Sequence, residues 1–197
     1  MTYGFNRIRL AFAACAVAGL ALPGIAFSDP GSAAGAGGTV PSAPAAAPRV
    51  YPAVTHVAWV VPDLDQALSQ SARQLGTGPA DVVFRRVLTV DKGTYLGRPA
   101  RFSADFALIE LGNTQFEFIQ PLTGTSPYSD ALKGRKGAVL HHIAFVVPSL
   151  DGQITHAHAS NADAKVVLDA HLKGMDARYV YMSGVLPDTL VEFIPAR

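Results

Sequence analysis

Apolar and polar residues alternate along the chain in a pattern that predicts a strand, a helix and three further strands. The first strand covers 54–61, where β-branched and aromatic residues dominate, and it ends at Pro62. Apolar residues then recur at helical spacing from Leu64 to Leu75, with Asp63 placed to cap the helix. The remaining strands of this run are predicted at 82–90, 101–111 and 115–120.

The same order of elements is predicted a second time, after a connection at 122–137 that is rich in glycine, serine and proline. One helical turn is predicted in this connection, at 128–132. The second run comprises a strand at 141–147, a helix at about 149–160, and strands at 165–170, 177–182 and 189–194. The pattern therefore predicts an α+β fold of two tandem βαβββ modules, module one at about 54–121 and module two at about 139–195.

The duplication is also visible in the residues themselves. Residues 56–62, His-Val-Ala-Trp-Val-Val-Pro, match residues 142–148, His-Ile-Ala-Phe-Val-Val-Pro. Residues 115–121, Gln-Phe-Glu-Phe-Ile-Gln-Pro, match residues 190–195, Leu-Val-Glu-Phe-Ile-Pro. Such internal similarity indicates a duplicated supersecondary unit. Each module therefore begins with a strand that carries a histidine and ends with a strand that carries a glutamate.

The alternation of side chains along a strand separates these residues from the bulky ones. His56 shares a face with Ala58 and Val60, while Trp59 lies on the opposite face, and the strand that carries His142 repeats this arrangement. We expect the bulky face to pack beneath a helix. The face with a histidine and small neighbours is suited to the wall of a cavity.

The two glutamates, Glu117 and Glu192, lie in strongly apolar strands, where a lone buried carboxylate costs several kcal/mol unless it is paired, protonated or bound to a metal. Taken singly, each could be a solvent-facing glutamate, and His56 or His142 a hydrogen-bonded core histidine. Their matching positions in both halves instead favour one shared site. Two imidazoles and two carboxylates suit zinc, iron, cobalt, nickel or manganese better than calcium, and room for water or substrate would make the site catalytic.

Residues 1–28 have the pattern of an export signal. Arg7 and Arg9 precede an apolar run at 10–22, and Ala26-Phe27-Ser28 provides small residues for a cleavage before Asp29. The alternative is an uncleaved anchor, but the run is short for a membrane span. We therefore expect an exported protein, periplasmic or secreted, whose mature form has no stable membrane span.

Composition and charge exclude some kinds of partner and site and indicate where the folded domain begins. Residues 29–50 are mostly Ala, Gly, Pro and Ser, with almost no large apolar side chain, and predict a disordered linker before a domain at 51–197. The net charge is +1 with neutral histidines, and no run of lysine and arginine occurs, which argues against nucleic acid as a partner. The single cysteine, Cys15, excludes an intrachain disulfide and a cysteine-based zinc cluster.

Over about 54–195 the chain resembles the vicinal oxygen chelate superfamily, which includes glyoxalase I, extradiol dioxygenases, bleomycin-binding proteins and methylmalonyl-CoA epimerase. The resemblance implies paired βαβββ modules that form a half-barrel around a metal ion. It places the family's metal ligands at His56, Glu117, His142 and Glu192. Similarity to the glyoxalase and epimerase branch is carried by Gly112-Asn113-Thr114, Pro121-Leu122, Ser126-Pro127 and the stretch 140–145, Leu-His-His-Ile-Ala-Phe.

This resemblance implies a metal-dependent isomerase or lyase. The ion would chelate two neighbouring oxygens of a small-molecule substrate and acidify the adjacent C–H, while Glu117 or Glu192 carries the proton. An exported protein would not meet coenzyme A thioesters. Two alternatives stay open: a metal-free protein of the same fold that sequesters a ligand, and an extradiol-type dioxygenase, which would typically use iron with two histidines and one glutamate. A homodimer is also left open.

The sequence also predicts positions for several other polar residues. His141 is expected on the strand face opposite His142, in a structural role, and His156 and His158 are expected at the surface of the second helix. Further candidates for the cavity wall are Arg98, Arg101, Tyr179 and Tyr181.

Overall fold

The computed structural model describes residues 54–196. The predicted export signal at 1–28 and linker at 29–50 lie outside the described residues, as do the first residues of the predicted domain. No helix within the described range combines the length and the apolar character needed to cross a bilayer.

The described chain consists of two runs of strand, helix and strands, joined by a short helix. Module one contains β1 (Val54–Val60), α1 (Leu64–Leu75), β2 (Val82–Tyr95), the two-residue β3 (Arg98–Pro99), β4 (Phe102–Leu111) and β5 (Thr114–Thr123). The connection contains α2 (Pro127–Ala131). Module two contains β6 (Val139–Val147), α3 (Leu150–Ser160), β7 (Lys165–Leu172), β8 (Arg178–Leu186) and β9 (Thr189–Pro195). The predicted α+β fold of two tandem βαβββ modules is confirmed.

Several strands are longer than predicted, and β2 and β5 continue past residues that were expected to end them. β2 was expected to end at residue 90, because Asp91-Lys92-Gly93 resembles a turn, but it continues to Tyr95 by pairing with β7. β5 was expected to stop at Pro121, but it continues to Thr123. Pro121 lies opposite Ala104 of β4, next to a shift in the register of the two strands. This irregularity accommodates a residue that has no N–H to donate.

Each module supplies four strands to one closed barrel. The strands follow the order β2-β4-β5-β1-β6-β9-β8-β7, and β3 pairs with Thr94 and Tyr95 at the end of β2. Antiparallel pairing of β1 with β6 joins the modules on one side. Antiparallel pairing of β2 with β7 joins them on the other. The two predicted halves thus close on each other, and both junctions are shared between the modules.

The helices cover the outer face of the barrel, as the bulky residues predicted. Trp59 and Phe118 pack with buried Val61 and Leu64 beneath α1. Beneath α3, Phe145 packs in the same cluster as buried Leu150. Both helices begin at capping side chains, since Asp63 accepts a hydrogen bond from Gln66 N and Ser149 accepts one from Gly152 N. With its bulky residues under the helices, the central sheet turns its histidine-bearing face inward.

Candidate metal centre

The four strands at the centre of the sheet, β5-β1-β6-β9, carry the four residues singled out by the repeat. His56 of β1 lies opposite Ala144 of β6, and His142 of β6 lies opposite Ala58 of β1. Glu117 of β5 is the neighbour of Ala58. In the same way, Glu192 of β9 is the neighbour of Ala144. Small alanines therefore separate the functional side chains on the inner face and leave room for them to converge.

The ligand atoms of these four residues converge at the junction of the modules. The Nε2 atoms of His56 and His142 lie 3.2 Å apart. Glu192 Oε2 lies 3.0 Å from Nε2 of His56 and 3.1 Å from Nε2 of His142. Glu117 Oε2 lies 3.6 Å from each of these nitrogens. All four residues are at most 8% exposed. One imidazole and one carboxylate thus come from each module.

These separations match the distances between neighbouring ligand atoms around one metal ion. Two ligands bonded at about 2.1 Å lie about 3.0 Å apart at right angles and about 3.4 Å apart in a tetrahedron. Glu192 Oε2 supports this interpretation, because it lies within 3.1 Å of both imidazole nitrogens in a buried site. The donor set therefore fits a divalent transition metal. The role of the four residues as ligands stays a prediction.

Glu117 is the outlying member of the set. His56, His142 and Glu192 form a group in which every pair of ligand atoms lies within 4.8 Å, and Glu117 is not part of that group. Its contacts with the imidazole nitrogens, at 3.6 Å, are also longer than those of Glu192. Three residues therefore form a compact ligand triad, to which Glu117 adds a more distant carboxylate.

Burial and neighbouring charges shift the pKa values of Glu117 and Glu192 in opposite directions. Burial raises the pKa of Glu117 to about 8, against the lowering effect of His56 and with reinforcement from Glu192. Burial also disfavours the charged form of Glu192, but His142 and His56 outweigh it and hold the pKa of Glu192 at about 2. Without a bound ion, one carboxyl group therefore holds a proton that the other has released, which is the usual arrangement of an acid and a base.

The pKa values of His56 and His142 are also shifted in opposite directions. Burial alone would lower the pKa of His56, but Glu117 and Glu192 raise it overall. Burial dominates for His142 and lowers its pKa, in spite of the raising effect of Glu192. The structure therefore favours a neutral imidazole at His142, the form that binds metals.

His141 was predicted on the opposite face, and this is wrong. The register shifts between Ala58, opposite His142, and Trp59, opposite Leu140, so His141 occupies a bulge in β6. The extra residue interrupts the alternation of side chains, and His141 is buried beside His142 with 2.9 Å between their Nδ1 atoms. Burial and the neighbouring His142 lower the pKa of His141 to about 3, so this ring is neutral.

Three tyrosines fill the barrel around these residues. The hydroxyl groups of Tyr128 and Tyr181 lie 2.8 Å apart, and the Tyr181 ring packs against His142 with 4.7 Å between centroids. The buried hydroxyl of Tyr179 has no hydrogen-bond partner. Tyr179 and Tyr181 are thus buried inside the barrel, whereas Arg98 and Arg101 are exposed.

Tyr128 was missed at the sequence level. It lies in α2, in the connection between the modules, where the residue pattern predicts a helical turn but not the direction in which that turn points. Its ring is fully buried and contacts Phe102 and Phe106 of β4 edge-on. The connection therefore places an aromatic side chain inside the barrel.

A cavity of about 600 Å³ lies next to His141. Its wall includes residues from β2, α2, β6, β7, β8 and β9, among them Tyr95, Asp130, His141, Ser183, Asp188 and Leu190. The volume is in the range of small-molecule sites. His141 lines this cavity and also contacts His142, so it connects the cavity wall with the candidate metal centre.

Comparisons with known proteins agree with this architecture. The model of the Glyoxalase/Bleomycin resistance protein/Dioxygenase superfamily matches residues 55–181. The chain is 28% identical over 98 residues to the mitochondrial methylmalonyl-CoA epimerase of Bos taurus, covering 50% of the chain and 48% of that protein. It is 27% identical over 101 residues to the Mus musculus protein of the same name, covering 51% and 49%. The chain thus spans about half the length of these relatives.

Among solved structures, the chain is similar to the methylmalonyl-CoA epimerase from Mycobacterium tuberculosis. The TM-score is 0.53 at 17% sequence identity, and the match covers 78% of this chain and 93% of that one. A variant of the Streptomyces coelicolor methylmalonyl-CoA epimerase, in complex with 2-nitronate-propionyl-CoA, matches with a TM-score of 0.51 at 15% identity, covering 74% and 95%. At such identities the likeness shows the fold alone.

Proposed function

Because the chain belongs to the Glyoxalase/Bleomycin resistance protein/Dioxygenase superfamily, we propose that it is a divalent-metal-dependent isomerase or lyase that moves a proton within a small substrate. The observation that carries this proposal is the convergence of His56, His142, Glu192 and Glu117 in one buried site. A fold alone does not fix a reaction, whereas two imidazoles and two carboxylates gathered from corresponding positions of both modules need a common partner.

His56, His142 and Glu192 would hold the ion, and Glu117 lies near enough to complete the donor set. Nitrogen and carboxylate donors in equal number suit zinc, cobalt, nickel, manganese or iron. When bound, the ion supplies Lewis-acid polarisation of the substrate's neighbouring oxygens, which acidifies the adjacent C–H.

Glu117 is the better candidate to carry the proton, because its carboxylate lies further from the imidazoles than that of Glu192. Next to a bound cation, Glu117 would lose the proton that it holds in the metal-free site and could then act as a base. In the proposed step, Glu117 accepts the proton from the substrate carbon, and the electron pair of the broken C–H bond stays on the substrate, spread towards its oxygen. The same carboxyl group then returns the proton, either to the other face of that carbon or to its neighbour. The unpartnered hydroxyl of Tyr179 would donate to the oxygen that gains charge.

We propose a small 2-oxo or 2-hydroxy acid as substrate, in place of the coenzyme A thioester that the relatives' names imply. Residues 1–28 predict export, and coenzyme A thioesters are intracellular. The cavity gives a second reason against the coenzyme A carrier only, since a small acid would place its carboxylate at the ion instead. Asp130 and Asp188 line the cavity, and among the described residues no lysine or arginine does, so it offers little to the phosphates of a coenzyme A carrier.

Proton exchange tests the proposal. The purified chain, loaded separately with Zn²⁺, Co²⁺, Ni²⁺ or Mn²⁺, is incubated with small 2-oxo and 2-hydroxy acids in D₂O, and loss of the C–H signal is followed by NMR. We expect exchange with at least one pair of metal and acid, and its loss in Glu117→Gln. Glu110→Gln, at an exposed position of β4, is the matched control and should exchange as the wild type does. Absence of exchange with every pair would contradict the proposal.

One observation favours a second candidate, an extradiol-type dioxygenase. The compact triad of His56, His142 and Glu192 has the two histidines and one carboxylate that are typical of non-haem iron oxygenases. Its test is oxygen uptake by the Fe²⁺-loaded chain in the presence of a catechol. Uptake that His142→Ala abolishes would favour this candidate over proton transfer.

A further inference from the structure

The geometry points to His141 as a positioning residue that accepts the Nδ1–H of His142 and so presents Nε2 of His142 to the metal. This inference rests on the proposed metal site. His141 lies in the bulge of β6, is 7% exposed, and has its Nδ1 atom 2.9 Å from that of His142. Without the bulge its side chain would lie on the outer face of the barrel, away from the site.

The short distance between the two Nδ1 atoms requires one donor and one acceptor. His142 turns Nε2 towards Glu192 and His56, at 3.1 and 3.2 Å. If that nitrogen is to offer a lone pair to an ion, the single proton of the neutral ring must sit on Nδ1. His141 Nδ1 is then the acceptor, and the proton of His141 sits on its Nε2.

The second ring nitrogen of His141 also has a hydrogen-bond partner. The backbone carbonyl of Pro127, at the start of α2, is a hydrogen-bond partner of His141. Because Nδ1 of His141 is occupied by His142, the bond to the carbonyl uses Nε2–H. The carbonyl can only accept, so the direction of every bond from Pro127 to His142 is determined. A ligating histidine whose second nitrogen is held in this way has a defined tautomer and ring orientation.

Module one has no equivalent arrangement. Thr55 stands where the repeat places His141, and its hydroxyl donates to the carbonyl of Ala144 instead of contacting His56. His56 Nδ1 is buried and has no hydrogen-bond partner. Of the two imidazoles, only that of His142 is oriented through a neighbouring ring, so the effect of losing that neighbour should be confined to module two.

Two conservative variants separate the two roles of the His141 ring. His141→Asn places an amide oxygen near the former Nδ1 and keeps an acceptor for His142. His141→Gln places its amide near the former Nε2, so it keeps a donor for Pro127 but removes the acceptor. We expect His141→Gln to weaken Zn²⁺ binding by about 10- to 100-fold and His141→Asn to stay within about threefold of the wild type. Thr55→Ala is the control in module one and should also stay within about threefold.

Zn²⁺ affinity is measured by competition with a chromophoric chelator, and ¹⁵N NMR of the metal-free chain reports the tautomer of His142. The expected tautomer carries its proton on Nδ1 in the wild type and in His141→Asn, and shifts in His141→Gln. Equal affinity of His141→Gln and the wild type, or equal losses in both His141 variants, would overturn the inference. A wild-type chain that binds no metal would instead overturn the proposed function.

Discussion

At the scale of single residues, the site depends on small side chains as much as on the ligating ones. Ala58 is flanked by Glu117 on one neighbouring strand and by His142 on the other. Ala144 has the same position between Glu192 and His56. Since both alanines are fully buried, larger residues there would occupy the space into which the imidazoles and carboxylates project. The repeat therefore contains, in each module, both the ligating residues and the small residue that leaves room for them.

The two carboxylates should differ in their effect on metal affinity. Glu192 Oε2 lies within 3.1 Å of both imidazole nitrogens, whereas Glu117 Oε2 lies 3.6 Å from each. We expect Glu192→Gln to weaken Zn²⁺ binding at least about 100-fold and Glu117→Gln only about 10-fold, measured by the same chelator competition. Equal losses in the two variants would show that Glu117 is a full ligand and would remove the reason for assigning it the proton.

How far the sequence predicts the site follows from these residues. His56, Glu117, His142 and Glu192 could be identified because the repeat places them at matching positions in strands whose faces follow simple alternation. His141 could not be placed, since a bulge depends on how β6 registers against β1, which is a property of the pair of strands. Tyr128 could not be placed either, because its direction depends on where the connection crosses the end of the barrel.

At the scale of elements, closure of the barrel depends on the close approach of β2 to β7. The sequence Asp91-Lys92-Gly93 favours a turn, and the strand was predicted to end there. In the structure Gly93 lies opposite Ala170, and a Cβ added to it would lie 2.4 Å from the carbonyl oxygen of Asp169. The glycine is needed here for space between two backbones, a requirement that only the partner strand reveals.

Gly93→Ala should therefore destabilise the barrel. We expect the free energy of unfolding to fall by about 2 kcal/mol, as for other overpacked sites, measured by urea denaturation. Gly137→Ala is the matched control, because nothing lies within 4 Å of the added Cβ, and its free energy of unfolding should be unchanged or slightly raised. A loss in Gly137→Ala as large as in Gly93→Ala would show that chain flexibility, and not the approach of β7, explains the glycine.

At the scale of the whole molecule, the duplicated modules share both junctions of the barrel, and the candidate metal centre lies at one of them. Antiparallel pairing of β1 with β6 brings Nε2 of His56 within 3.2 Å of Nε2 of His142, and the parallel neighbours of these strands bring in the two glutamates. The order of elements and the repeat were enough to predict this fold. Closure of the barrel was not predictable from the sequence, because it depends on the pairing of β2 with β7, and these strands are far apart in the chain.

An ion bound by the triad of His56, His142 and Glu192 is tested most directly by the metal content of variants that each lack one histidine. We expect about one divalent ion per wild-type chain, and less than about a tenth of that in His56→Ala and in His142→Ala, because each change leaves only two members of the triad. His158→Ala, at an exposed position on α3, should keep the full content, and circular dichroism should show all three variants folded. Full metal content in a folded His56→Ala or His142→Ala chain would contradict an ion bound by this triad.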